Sequence, residues 1–161
     1  MTGRRLIVPR GLWLETWDGL RARGQGEREA ACVWGGTRSG HVERAEHVAF
    51  IDDHGPVNAH KLSHVAFPDT VYRCLEHLRE RRLVVVADVH THPELWVGLS
   101  PADAANPIEF RVGLLAFVLP RFALGAPALN VTGVHEYVGD RRWRRIGEHE
   151  VARRISIEEN G

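Results

Sequence analysis

The chain has 161 residues, of which 43% are hydrophobic and 26% charged, a balance that leaves no room for a large disordered fraction and fits one folded domain with its own core. Lys plus Arg and Asp plus Glu both number 21, so no net field draws the chain to nucleic acid, and the basic run at Arg141, Arg142, Arg144 and Arg145 is short and local. Cys32 and Cys74 are too few for a disulfide framework and lack the close pairing of a structural zinc site; both are expected to be reduced thiols in a cytoplasmic protein. No apolar run reaches membrane-spanning length, and Pro9 and Arg10 interrupt the apolar stretch near the start, which argues against a signal peptide or membrane contact.

In chain order, Trp13, Trp17 and Leu20 recur at helical spacing, so an amphipathic helix over about 12–20 is expected to open the domain. Gly24, Gln25 and Gly26 break it. Residues 30–36 then read as a short buried strand ending in Gly35-Gly36, and 42–51 as its hairpin partner across Ser39-Gly40. The polar stretch 54–64 reads as a loop. Asp69 is expected to cap a helix whose apolar face is Val71, Cys74, Leu75 and Leu78, which makes Cys74 a core residue.

Residues 83–89 form a Val-rich run, the pattern of a central strand covered on both faces, and lead into His90-Thr91-His92-Pro93. Ser100 and Pro101 occupy the N-cap and first position of a further helix. Residues 112–119 and 130–137 read as strands, and Gly139-Asp140 turns the second into a strand over 142–146. Helices interleaved with strands and hairpins predict an α/β sandwich, a mixed sheet flanked by helices in a single domain over residues 1–161, with its core at about 10–147. There is no internal repeat.

Side chains two apart on a strand share a face, so His90 and His92 offer their imidazoles to one point at the strand end. With 10 histidines in the chain, chance alone supplies about half an occurrence of His-x-His, so the pair is weak evidence by itself. Its continuation is specific: Pro93 follows directly, then six residues, then Ser100-x-x-Asp103, a combination expected by chance less than about once in a thousand. Two imidazoles and a carboxylate make three protein ligands, the catalytic zinc pattern that leaves a fourth position for water.

These residues resemble the JAMM motif of metalloprotease-type JAB/MPN domains, in which an upstream Glu precedes His-x-His-Pro and Ser-x-x-Asp. In that family the Glu stands seven residues before a Gly at the end of the first strand. Glu29, through Ala30, Ala31, Cys32, Val33, Trp34 and Gly35 to Gly36, reproduces the interval, whereas Glu27 misses it by two; the family's mid-segment Gly is Cys32 here. The resemblance spans about 10–140 and implies a compact bacterial type, since 29–103 holds little beyond core elements. The implied fold is the JAB/MPN, cytidine-deaminase-like sandwich. His90, His92 and Asp103 are the implied ligands of one zinc per chain, with Glu29 as general acid/base and Ser100 stabilising the tetrahedral intermediate.

The implied activity is isopeptide or peptide cleavage after the C-terminal glycine of a ubiquitin-like protein or its conjugate. The partners would include operon-encoded activating and conjugating (E1- and E2-like) enzymes, in some relatives within antiphage operons. A zinc hydrolase of small amides or sulfur-carrier adducts, and a non-catalytic MPN scaffold, remain alternatives. Asp88 shares the strand face of His90 and His92, where it either supports a ligand or is satisfied elsewhere. Trp96 either packs under its loop or walls the substrate cleft. Most of the eight other histidines are expected at the surface, and substrate contacts are expected from 54–66 and 122–130.

Overall fold

The computed structural model describes residues 3–55 and 68–159. The first described element is a strand, β1 (Arg5–Pro9), ahead of the expected helix; Leu6 and Val8 point into the core on alternate positions. Helix α1 (Arg10–Gly24) follows and buries Trp13, Trp17 and Leu20 along one face. It stops where Gln25 takes a left-handed φ of 53° and Gly26 continues at 69°, the backbone reversal that ends many helices.

Strands β2 (Ala31–Ser39) and β3 (Val42–Phe50) form the expected hairpin. β2 does not end at Gly35-Gly36 but bulges there and continues. A Cβ on Gly36 would stand 1.9 Å from the Arg44 carbonyl oxygen, so the glycine permits close backbone approach within the strand. A 3-10 turn (Ile51–His54) ends this part of the chain, and most of the loop read at 54–64 lies outside the described residues.

Helix α2 (Pro68–Glu80) buries Cys74 and Leu78 with Leu75 partly covered, as its periodicity predicts, although Asp69 lies in the first turn and not at the cap. Strand β4 (Val84–Thr91) is buried from Val85 to its end. Helix α3 (Pro101–Ala105) starts at Ser100. Strand β5 (Leu115–Leu119) begins later than residue 112 because Gly113 turns the chain at φ 95°, and β6 (Gly133–Gly139) follows a short 3-10 turn (Leu129–Val131) that took the place of its expected start. The turn into β7 (Arg142–Arg145) centres on Asp140 and Arg141, at φ 54° and 57°, one residue beyond the pair read from sequence. Helix α4 (Glu148–Arg154) and strand β8 (Ile155–Glu158) complete the described chain.

Among the described residues, all eight strands lie in one mixed sheet in the order β7-β6-β5-β4-β2-β3-β1-β8. β1 pairs in parallel with both β3 and β8, and β4 in parallel with β5; the remaining neighbours are antiparallel. β1 and β8 therefore extend the sheet beyond the 10–147 stretch at both ends of the chain.

Two apolar clusters fill the two sides of the sheet. Residues of α1 join Trp34, Val89 and Phe117 on one side, while Cys74 and Leu78 of α2 join Val33, Val85 and Tyr137 on the other. α3 sits on the α2 side, tied to β7 by the Trp143 Nε1–H bond to the Ala104 carbonyl at 3.1 Å. β4 runs through the middle, so its end opens between covered faces. That end carries the histidines.

Candidate metal centre

Alternation along β4 sends Val89 into the α1-side cluster and leaves Asp88 and His90 facing the side of α3. His90 is only 2% exposed and His92 is buried one residue past the strand. Asp103, in the first turn of α3, meets both: its Oδ2 lies 3.3 Å from His90 Nε2 and 3.1 Å from His92 Nε2. Among the described residues, this is the group of three metal-ligating side chains whose ligand atoms fall within 4.8 Å of one another.

Local structure fixes each member. Ser100 and Asp103 form a reciprocal capping box: the Asp103 N–H donates to Ser100 Oγ at 3.1 Å, and the Ser100 N–H donates to Asp103 Oδ2 at 2.9 Å. The cap therefore aims the carboxylate. His92 Nδ1–H donates to the Trp96 carbonyl at 3.2 Å, which turns Nε2 toward Asp103. Two imidazole nitrogens and a carboxylate oxygen converge this closely only around a cation, a proton or a metal ion. The donor set fits zinc: two borderline nitrogens, one oxygen, a tautomer fixed by a backbone carbonyl, and room for a fourth ligand.

The electrostatics agree. Burial alone would lower the His90 pKa, but the hydrogen bond to Asp103, with the charges of Asp88, Asp103 and Glu29, raises it. Burial would raise the Asp103 carboxyl; the hydrogen bonds from His90 and His92, the His90 charge and the Ser100 N–H outweigh it and hold the carboxyl well below the usual carboxylate range.

Glu29 reaches the same place by sheet register. Ala31 pairs with His90, the Ala30 N–H donates to Thr91 Oγ1 at 2.9 Å, and the Thr91 N–H donates to the Ala30 carbonyl at 3.0 Å. The next residue back, Glu29, falls opposite His92 and is exposed at the mouth of a pocket of about 230 Å³ lined by Glu29, His92, Pro93, Glu94, Trp96 and Ser100. Glu27 does not line that pocket. Trp96 stacks on the His92 ring, with centroids 5.2 Å apart and planes at 16°, and is 58% exposed, so it walls the cleft and does not pack beneath the loop. Asp88 is buried on the ligand face.

No family model matches the chain. Solved structures do. A protein from Desulfitobacterium hafniense, determined in solution, aligns with a TM-score of 0.64 at 15% identity over 96% of this chain and 94% of its own. The crystal structure of a JAB1/MPN domain protein from Archaeoglobus fulgidus aligns with a TM-score of 0.50 at 14% identity, over 98% of this chain and all of the other. The solution structure of a protein from Salinibacter ruber aligns at 0.53 and 15% identity over 83% and 86%. The fold is a JAB/MPN-like sandwich. Within it, the His-x-His-x10-Asp triad resembles the JAMM metal-binding motif in residue types and spacing.

Some residues that shape the site have no motif in the sequence. His135, grouped with the surface histidines, is buried on β6, and its Nε2–H donates to the Val97 carbonyl at 2.9 Å. Arg121, Phe122 and Ala123 form a left-handed turn, with φ of 52°, 54° and 61°, whose N–H groups donate to the Glu94 carbonyl (from Arg121, 3.0 Å) and the His92 carbonyl (from Phe122, 2.8 Å). The interval between the ligands is thus tied down at both ends. Of the remaining histidines, His41 and His149 are exposed, His47, His54 and His77 are half-buried, and His60 and His64 lie outside the described residues.

Proposed function

We propose that the chain is a zinc-dependent hydrolase of amide or isopeptide bonds, a JAMM-type peptidase. The single observation that carries this reading is the convergence of His90, His92 and Asp103, with His92 lining a cleft that also presents Glu29 and Ser100. His90 Nε2, His92 Nε2 and Asp103 Oδ2 would hold the metal, which when bound would supply a Lewis acid to polarise the scissile carbonyl and acidify water.

The protein's own groups do the rest. The Glu29 carboxylate accepts the proton of the attacking water and then delivers it to the leaving amine nitrogen, so that amide and water become acid and amine with no covalent enzyme intermediate. The Ser100 hydroxyl oxygen accepts the Asp103 N–H, which leaves its O–H able to donate to the carbonyl oxygen as negative charge develops there. Trp96 and Pro93 line the cleft beside His92 and exclude water from one side.

The substrate we assign is the C-terminal glycine tail of a ubiquitin-like protein joined to an amine, with activating and conjugating enzymes as functional partners. Supporting it are the JAMM spacing and a fold shared with a protein described as a JAB1/MPN domain protein.

The test uses a ubiquitin-like protein fused through its C-terminal glycine to a reporter, cleaved by wild type, Glu29→Gln and Glu27→Gln at equal zinc loading. Glu29→Gln should lose about a hundred- to ten-thousand-fold in turnover while keeping zinc and fold, and Glu27→Gln should match wild type. The reverse pattern would remove the proposed base and leave the metal site standing. Inactivity of zinc-loaded wild type on every such fusion would sink the substrate assignment.

A further inference from the structure

Three histidines outside the triad meet between β3 and α2. His47 Nε2, on β3, lies 2.9 Å from His77 Nε2, thirty residues on in α2. The His54 ring, at the end of the 3-10 turn, centres 4.8 Å from that of His77. Arg81 Nε–H, which cannot accept a hydrogen bond, lies 3.1 Å from His77 Nε2. His77 Nε2 must therefore carry a lone pair, with its ring proton on Nδ1, and the contact with His47 requires His47 Nε2–H to donate into the same lone pair.

We propose that His47, His54 and His77 form a second site, weaker than the triad, for a divalent ion that prefers imidazole, such as zinc or nickel. An ion held at about 2.1 Å by two nitrogens sets them about 3.4 Å apart at a tetrahedral angle. The His47 and His77 Nε2 atoms already stand near that separation, so the ion replaces the hydrogen bond between them, and His54 completes the set by a change of rotamer.

The surroundings of His47 and His54 favour the neutral imidazole that a metal needs. Burial, then Arg81, His77 and His54, lower the His47 pKa, while burial and then His77 lower that of His54 against the opposing charge of Asp53. The site is weaker for reasons equally visible. Among the described residues the nearby carboxylate of Asp53 is engaged elsewhere, paired with Arg23 through both oxygens at 3.0 and 2.6 Å. Arg81 must swing off His77, and Arg73, bonded to the His54 carbonyl at 3.0 Å, keeps a second positive charge near. Occupied, the site clips the 3-10 turn to α2.

Equilibrium dialysis of the full chain decides the matter, at a buffered free zinc concentration well above that needed to saturate the triad. Wild type should hold two equivalents, His77→Gln one, and His92→Gln one. Arg81→Ala removes no ligand; it should tighten the second equivalent by roughly tenfold, because a competing donor and a repelling charge are gone. Wild-type uptake that His77→Gln leaves unchanged overturns the proposal. A single wild-type equivalent that is lost in His77→Gln and kept in His92→Gln upholds it and sinks the triad instead.

Discussion

On the α1 side of the sheet, Trp13 packs edge-on against Trp17 and Trp34 with centroids 5.8 and 6.2 Å apart, and Trp34 tilts against Phe117 at 5.0 Å. The Trp34 Nε1–H bonds to Thr16 Oγ1 at 2.8 Å, and the Thr16 hydroxyl passes on to the Leu12 carbonyl at 2.8 Å, so the Trp34 and Thr16 polar atoms are satisfied locally. On the opposite side α2 covers part of the sheet, and over the end of β4 the cover is shorter. α3 spans five residues, and beside it the sheet presents Asp88, His90 and His92. A long helix over aromatic residues closes one face; a single capped turn over imidazoles leaves a strand end open to solvent and ligand. Stability and chemistry thus sit back to back on one strand, with Val89 serving the first and His90 the second.

That division is tested most severely by His92→Ala. It should lower zinc affinity by more than about a hundredfold and abolish hydrolysis while shifting the unfolding midpoint little, as read by metal analysis beside a denaturant titration. Unchanged zinc content would end the metal reading. Trp34→Ala is the mirror experiment, expected to cost about 3–5 kcal/mol of stability with zinc stoichiometry intact in the folded fraction. If stability held and metal was lost, the two faces would be coupled more tightly than their packing indicates.

Ser100 stands on the boundary, because it both caps α3 and faces the cleft. Ser100→Gly keeps a good cap to within a few tenths of a kcal/mol. A fall in turnover of about a hundredfold without loss of stability assigns the hydroxyl to the reaction, and retained turnover assigns it to the cap alone. Acidification should act more gently. The His90 pKa is raised, so its proton competes with metal already above the ordinary imidazole value of 6.5, and zinc affinity should fall about tenfold per pH unit for each proton displaced. A zinc-binding curve flat down to well below that value would contradict the assignment.

The smallest effect is expected from thiol alkylation. Burial pushes the Cys74 thiol up to about 12 and raises Cys32 well above its ordinary value, so neither supplies a thiolate near neutrality. Rapid modification of either thiol in the folded protein would overturn this.

What the sequence made legible depended on how local the signal was. The His90, His92 and Asp103 cluster, the α3 cap and the β4 run are set by spacings within a few residues, and Glu29 was read from its seven-residue interval to Gly36. β1 and β8 were not legible because each is short, and their pairing is with segments far along the chain. His135 matters through one hydrogen bond to a loop 38 residues away, and the turn at 121–123 reverses without a glycine to announce it. The meeting of His47 with His77 likewise has no signature in linear spacing.

The tethered interval between the metal ligands has an evolutionary consequence. With Glu94 and His92 held by the left-handed turn and Val97 held by His135, residues 93–99 have little slack to absorb an insertion without dragging His92 and Asp103 apart. At the tip Leu95 is 74% exposed, beside Trp96, whose carbonyl accepts from His92 and whose ring stacks on it. Diversification of this site should therefore proceed by exchanging the exposed Leu95 side chain, a change of vocabulary at fixed sentence length, while lengthening is left to other loops around the cleft.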